Sequence, residues 1–155
     1  MKKWIAATLG VVLIGALAAV ALGSPGSGTS STNLVTADFA KTAQVNSDRV
    51  KFKTKDATDV RVQRLDFTAG GYSGWHHHPG MIIVAVQSGA LTLTDAECNS
   101  VTYGPGLPDG SVFVESGDGP VQASSATGAT VYVTYVAPDA TPPVFRVEDD
   151  PPPCA

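Results

Sequence analysis

The chain has 155 residues, of which 43% are hydrophobic and 15% are charged, and its formal net charge at pH 7 is −4. This length suits a single domain, and so apolar a composition excludes an intrinsically disordered chain. An acidic balance is unfavourable for binding to phosphate backbones, so we expect no nucleic-acid partner.

Residues 1–22 have the pattern of a signal peptide or of a signal anchor. Lys2 and Lys3 precede an uncharged apolar run, residues 4–22, and residues 19–21 offer a small-residue cleavage site. The run approaches the roughly 20 residues that span a bilayer, so a retained anchor is the alternative to cleavage. Both alternatives predict that the rest of the chain is exported, with the membrane as a partner only if the segment is uncleaved.

The Gly- and Ser-rich residues 23–33 are predicted to form a flexible linker, and residues 34–155 the folded domain. Within that domain, Val60 and Val62 alternate with polar residues, and Leu65 and Phe67 continue the alternation out of phase, which indicates a β-bulge. Further strands are predicted at residues 50–52, 81–86, 90–94, 111–115, 121–124, 129–136 and 144–147.

The continuous apolar run at residues 81–86 is typical of a strand that is buried on both faces. Gly and Pro separate the short strands, and after residue 33 we find no segment with a helical period over ten residues. The sequence therefore predicts an all-β domain, either a sandwich or a barrel.

Two cysteines, Cys98 and Cys154, occur in this chain. An even number of cysteines in an exported protein favours a disulfide between them. The alternatives are two free thiols or a bond between two chains.

All three histidines lie together, at positions 76–78. In a strand, His76 and His78 point to one face and His77 to the other. Two imidazoles on one face can share a divalent metal ion, but they need further ligands from elsewhere in the chain. The alternative is that the pair serves only packing and hydrogen bonding.

The surrounding sequence resembles the first motif of the cupin family. Gly70, His76, His78 and Gly89 stand at the motif's spacing, but its glutamate position holds Ile82. Residues 74–80 are also similar to the Gly-Trp-His-x-His-Pro-Gly of small exported cupins, which tend to lack that glutamate and to have paired cysteines. The resemblance covers roughly residues 60–155 and implies a single jelly-roll β-barrel.

The second cupin motif is degraded, because Gln122 stands where the family has its third histidine. The resemblance thus implies a reduced metal site of His76, His78 and Gln122, with an ion of unknown identity. Glu115 is a substitute ligand if its side chain faces the barrel interior.

Three functions follow as hypotheses. The first is a non-enzymatic barrel that binds a small molecule and, weakly, a divalent metal. The second is a metal-dependent oxygenase or isomerase. The third is an exported structural domain with a vestigial site. The fold does not choose among them, since one fold hosts many activities.

Overall fold

The structure is a computed structural model that describes residues 25–153. The predicted signal segment, residues 1–22, and Cys154 lie outside the described residues, so the export and disulfide predictions stay predictions. Between residues 25 and 153, the structure has no helix long and apolar enough to cross a bilayer.

The described chain is all-β, as predicted. Its strands, in chain order, are β1 (Ser27–Phe39), β2 (Gln44–Asn46), β3 (Lys51–Lys53), β4 (Thr58–Tyr72), β5 (His76–His77), β6 (Met81–Gly89), β7 (Leu91–Thr94), β8 (Ser100–Tyr103), β9 (Val112–Glu115), β10 (Gln122–Ser125), β11 (Ala129–Pro138) and β12 (Val147–Glu148).

The largest sheet is antiparallel, with strand order β8-β7-β10-β4-β11-β6-β9 and with β1 paired to β4 beside this path. It curves into a nearly closed barrel. Two small antiparallel pairs, β12 with β5 and β2 with β3, complete the described fold. The pair β12–β5 matters for function, because β5 carries the first two histidines.

The predicted flexible linker differs from the structure at residues 27–33, which are the first half of β1. This strand pairs with β4 from Ser27 opposite Tyr72 to Phe39 opposite Thr58. All thirteen of its residues are exposed. Composition could not indicate this strand, because backbone hydrogen bonds to β4, and not burial of apolar side chains, hold it in place.

The β-bulge predicted between Gln63 and Leu65 is absent from the pairing of β4 with β11, which keeps one register from Phe67 to Thr58. Arg61 and Gln63 therefore share the inner face of β4 with Leu65 and Phe67. The phase slip in the sequence is a change in the polarity of the inner face of β4. Where β4 pairs with β1, the register does shift opposite Gln63 and Val62, but the extra residue, Leu34, lies on β1.

The core lies between the inner faces of β4, β6, β7, β9 and β11. In β6, Ile82, Val84 and Val86 are buried, whereas Ile83 is 36% exposed, so the prediction of burial on both faces is wrong. Leu91 and Val131, at 2% and 0% exposure, are among the most deeply buried apolar side chains described. Each such side chain contributes about 1.5–3 kcal/mol to stability through burial.

Candidate functional site

The barrel contains a cavity of about 650 Å³. This volume lies within the range of about 300–1,000 Å³ that is usual for small-ligand sites. Most of its wall is apolar. The polar residues that line it include Arg61, Gln63, His76, His78, Glu115, Tyr135 and Arg146, together with Ser73 and residues 29–31 of β1. An apolar chamber with a few convergent polar groups is the usual form of a small-molecule site.

His76 and His78 lie side by side in the cavity wall. They are 6% and 5% exposed, and their ring centroids are 4.8 Å apart with the planes nearly perpendicular. His77 does not line the cavity, and its Nδ1 lies 2.8 Å from Oδ2 of Asp149. The structure therefore has the predicted alternation along residues 76–78.

Hydrogen bonds select the tautomer of both buried rings. Nδ1 of His76 lies 2.9 Å from the carbonyl oxygen of Gly74, and Nδ1 of His78 lies 2.6 Å from that of Phe145. Because a carbonyl oxygen only accepts hydrogen bonds, each Nδ1 carries the proton and donates it. Each Nε2 is then left with a free lone pair, as a metal-binding imidazole requires.

Burial also keeps the pair neutral. Desolvation lowers the pKa of His76 to about 4, with a smaller effect from the positive charge of Arg146. Desolvation likewise lowers the pKa of His78, against the opposing effect of its bond to the Phe145 carbonyl. Both rings are thus uncharged at pH 7, and a metal ion would not have to displace a proton from them.

Gln122 is not brought to this pair. The neighbouring side chains Val121 and Ala123 line the cavity and Gln122 does not, because alternation along β10 turns it to the other face. Its cross-strand neighbour is Thr94, which does not line the cavity either. The metal-site prediction of His76, His78 and Gln122 thus has support in the structure only for its two histidines.

A divalent ion fits this wall only in part. Two neutral imidazoles are suitable ligands, but residues 25–153 contain no group of three or more His, Cys, Asp or Glu side chains that could hold an ion. Water or a bound molecule would have to supply the remaining positions.

Glu115 faces the cavity, which answers a question that the sequence left open. It lies directly across from Ile82 in the β6–β9 pair, so a carboxyl group neighbours the position where the cupin motif has its glutamate. Burial raises the pKa of Glu115 to about 7. Burial thus favours the protonated carboxyl group at pH values where an exposed glutamate is ionised.

Sequence reasoning did not identify Arg61, Gln63 and Tyr135 as polar side chains of the site. Tyr135 lies across from Arg61 in the β4–β11 pair, and its hydroxyl donates to Oε1 of Gln63 at 3.1 Å. Burial raises the pKa of Tyr135 to about 12, so the phenol stays protonated. The signal for Arg61 and Gln63 is their alternation with valines along one strand, but the sequence does not show which set of residues faces the interior.

Gly117, in the degraded second motif, packs against the histidine segment. It has a φ of 83°, and a β-carbon there would collide with the backbone oxygens of His78 and Gly80. Only glycine combines this conformation with so close an approach. The loop before β10 is thereby held against the cavity wall.

No family model matches the chain, and no curated protein matches it significantly. Among solved structures, a conserved protein of unknown function from Streptococcus pyogenes has a TM-score of 0.50 at 17% identity, covering 72% of this chain and 76% of that one. Salicylate 1,2-dioxygenase from Pseudoaminobacter salicylatoxidans, in complex with gentisate, has a TM-score of 0.48 at 12% identity, covering 73% and 26%. Oxalate oxidase in complex with the substrate analogue glycolate has a TM-score of 0.41 at 24% identity, covering 48% and 40%.

The chain spans less than half the length of these two enzymes, and identities this low indicate fold alone. What the enzymes act on is therefore a property of those proteins. The nearly closed antiparallel barrel, with His76 and His78 in its cavity wall, has a cupin-type fold.

Proposed function

We propose that this protein is an exported cupin barrel that binds a small organic molecule in its cavity and, weakly, a divalent metal ion through His76 and His78. The observation that carries the proposal is the cavity of about 650 Å³ with two neutral imidazoles side by side in its wall. Export rests on the N-terminal sequence pattern.

The two histidines would hold the ion through their Nε2 atoms. When bound, the ion would act as a Lewis acid toward an oxygen of the ligand. The carbonyl oxygens of Gly74 and Phe145 accept from the two Nδ1 atoms and so orient the rings. Because the described residues offer no third ligand of the usual kind, we expect weaker binding than at a complete three-histidine site.

A second candidate is a metal-dependent isomerase or oxygenase, and Glu115 is the observation that favours it. A carboxyl group with a pKa of about 7 can take up or release a proton at neutral pH. Since it lines the same cavity as the histidines, it could act on a molecule bound there.

The metal half of the proposal is tested by zinc titration of untagged protein against a chromogenic chelator. His76→Gln and His78→Gln should each weaken binding at least about tenfold, since each removes one of two nitrogen ligands. His77→Gln is the matched control, because this ring lies outside the cavity wall. Equal loss in all three variants, or in none, would contradict a site made by His76 and His78.

The ligand half is tested by native mass spectrometry of the protein released gently from its source. A small molecule that co-purifies in one-to-one ratio is the expected result. Filling the cavity with Val131→Trp should abolish that adduct if the molecule sits inside the barrel. Retention of the adduct in a folded Val131→Trp variant would place the ligand elsewhere.

A further inference from the structure

Arg61 differs from the other arginines because no acidic side chain among the described residues forms an ion pair with it. The others are ion-paired: Arg49 with Asp48, Arg64 with Asp66, and Arg146 with Glu148. The side chain of Arg61 instead donates from Nε to Oγ1 of Thr36 at 3.2 Å, and its guanidinium carbon lies 4.2 Å from the ring centre of Phe145. Its two terminal nitrogens have no hydrogen-bond partner within residues 25–153.

This guanidinium lines the cavity near the histidines. It packs on Phe145, whose carbonyl oxygen accepts from His78. It also stands across the β4–β11 pair from Tyr135, whose ring centroid is 5.4 Å from that of His78. The ring of Phe145 and the hydrogen bond from Nε to Thr36 hold the guanidinium in place, and its two terminal nitrogens remain available to a ligand.

The cavity changes from polar to apolar away from Arg61. Along the inner face of β4, the order is Arg61, Gln63, Leu65 and Phe67, and the residues opposite them on β11 are Tyr135, Val133, Val131 and Ala129. Six residues of strand separate the first and last of these positions, a distance of about 20 Å. A molecule with a polar head and an apolar body matches this gradient.

The charges in the wall favour a negative head. The charge of Arg146 is compensated by its ion pair with Glu148. Glu115 also lines the cavity, but it forms no ion pair with Arg61, and burial raises the pKa of its carboxyl group. Among the described residues lining the cavity, Arg61 is then the cation without an ion-pair partner. A neutral ligand would leave this partly desolvated charge uncompensated, whereas an anion would pair with it.

We propose that the cavity binds small organic anions, with a carboxylate held by the two terminal nitrogens of Arg61 and an apolar body lying against Leu65 and Phe67. This inference rests on the proposed ligand-binding function and names its ligand class. The planar fork of a guanidinium matches the two oxygens of a carboxylate, so the contact provides geometry as well as charge.

The test compares probes that differ only in the head group. Calorimetric titrations of metal-stripped protein use 4-phenylbutyrate against 4-phenylbutan-1-ol, and hexanoate against hexan-1-ol. In the unsubstituted protein, each acid should bind at least about tenfold more tightly than its alcohol, as expected for a charge-assisted hydrogen-bonded pair. Arg61→Gln should reduce that preference to about threefold or less, with little change in the affinity of the alcohols.

Arg64→Gln is the matched control, because Arg64 lies on the same strand but is exposed and paired with Asp66. It should keep the full preference. Arg61→Lys retains the charge without the fork and should keep part of it, which gives a second variant if Arg61→Gln does not fold.

The possible failures are distinguishable. If acids and alcohols bind the unsubstituted protein equally well, the anion inference is overturned and the ligand-binding function stands. If the preference for acids persists in Arg61→Gln, Arg61 is not the recognition group. If neither member of either pair binds, the proposed function falls together with the inference.

Discussion

Glu115 gives the structure a specific dependence of stability on pH. Its pKa is about 7 in the folded protein, against an ordinary value of 4.5. Between these values, the folded state binds more protons than the unfolded state, so this carboxyl group makes the free energy of unfolding fall as pH rises. Its contribution is fully present below about pH 4.5 and is lost above about pH 7.

Glu115→Gln removes the ionisation while keeping the size of the side chain. For a shift of this size, linkage gives a limit of about 2.5 kcal/mol for the change in this contribution between pH 5 and pH 8. Because Glu115 is only half-buried, solvent screening reduces the expected change to about 1–2 kcal/mol. The variant should therefore gain stability relative to the unsubstituted protein by that amount when the pH is raised from 5 to 8.

The assay is urea denaturation at both pH values, followed by the fluorescence of the buried Trp75. The comparison between the two proteins is essential, because the lowered pKa of His76 makes stability rise with pH between about 4 and 6.5, which opposes the effect of Glu115. That contribution is common to both proteins and cancels in the difference. A stability difference that is the same at pH 5 and pH 8 would refute the reasoning, since it would mean that the carboxylate is fully hydrated inside the barrel.

Three further predictions concern the site and the cysteines. Gln122→His should leave zinc affinity unchanged, whereas Val121→His should raise it about tenfold, because Val121 lies across from His76 and lines the cavity. Competition with a chelator compares the two variants. A gain in affinity only in Gln122→His would show that the side chains of β10 face the opposite way. Gly117→Ala should destabilise the fold by about 1–3 kcal/mol in urea denaturation, because the new β-carbon meets backbone at a positive φ; an unchanged midpoint would contradict the close packing. Intact mass with and without reductant should show one Cys98–Cys154 bond per chain, and alkylation of both thiols without reductant would disprove it.

The cavity shows why part of the site could be predicted from the sequence and part could not. His76 and His78 were placed correctly because the alternation of a strand is local and the three histidines are consecutive. Gln122 was placed by counting from a degraded motif across a loop, and an error of one residue in that count turns a side chain to the other face. Val121 and Ala123 face the cavity instead.

The strand β4 shows a second kind of failure. Apolar residues are expected to mark the inner face of a barrel strand, so the change of phase between Val62 and Leu65 predicts a bulge. In the structure, β4 keeps one register against β11, and its inner face is polar at Arg61 and Gln63.

That failure is informative about function. Placing an arginine on an inner face costs free energy unless something compensates its charge, and within residues 25–153 no carboxylate does so for Arg61. Sequences depart from the local pattern mainly where a site requires it. Along the inner face of β4, polar residues end at Gln63 and the apolar wall begins at Leu65. The change of phase in the sequence therefore marks the boundary between the polar end and the apolar end of the cavity.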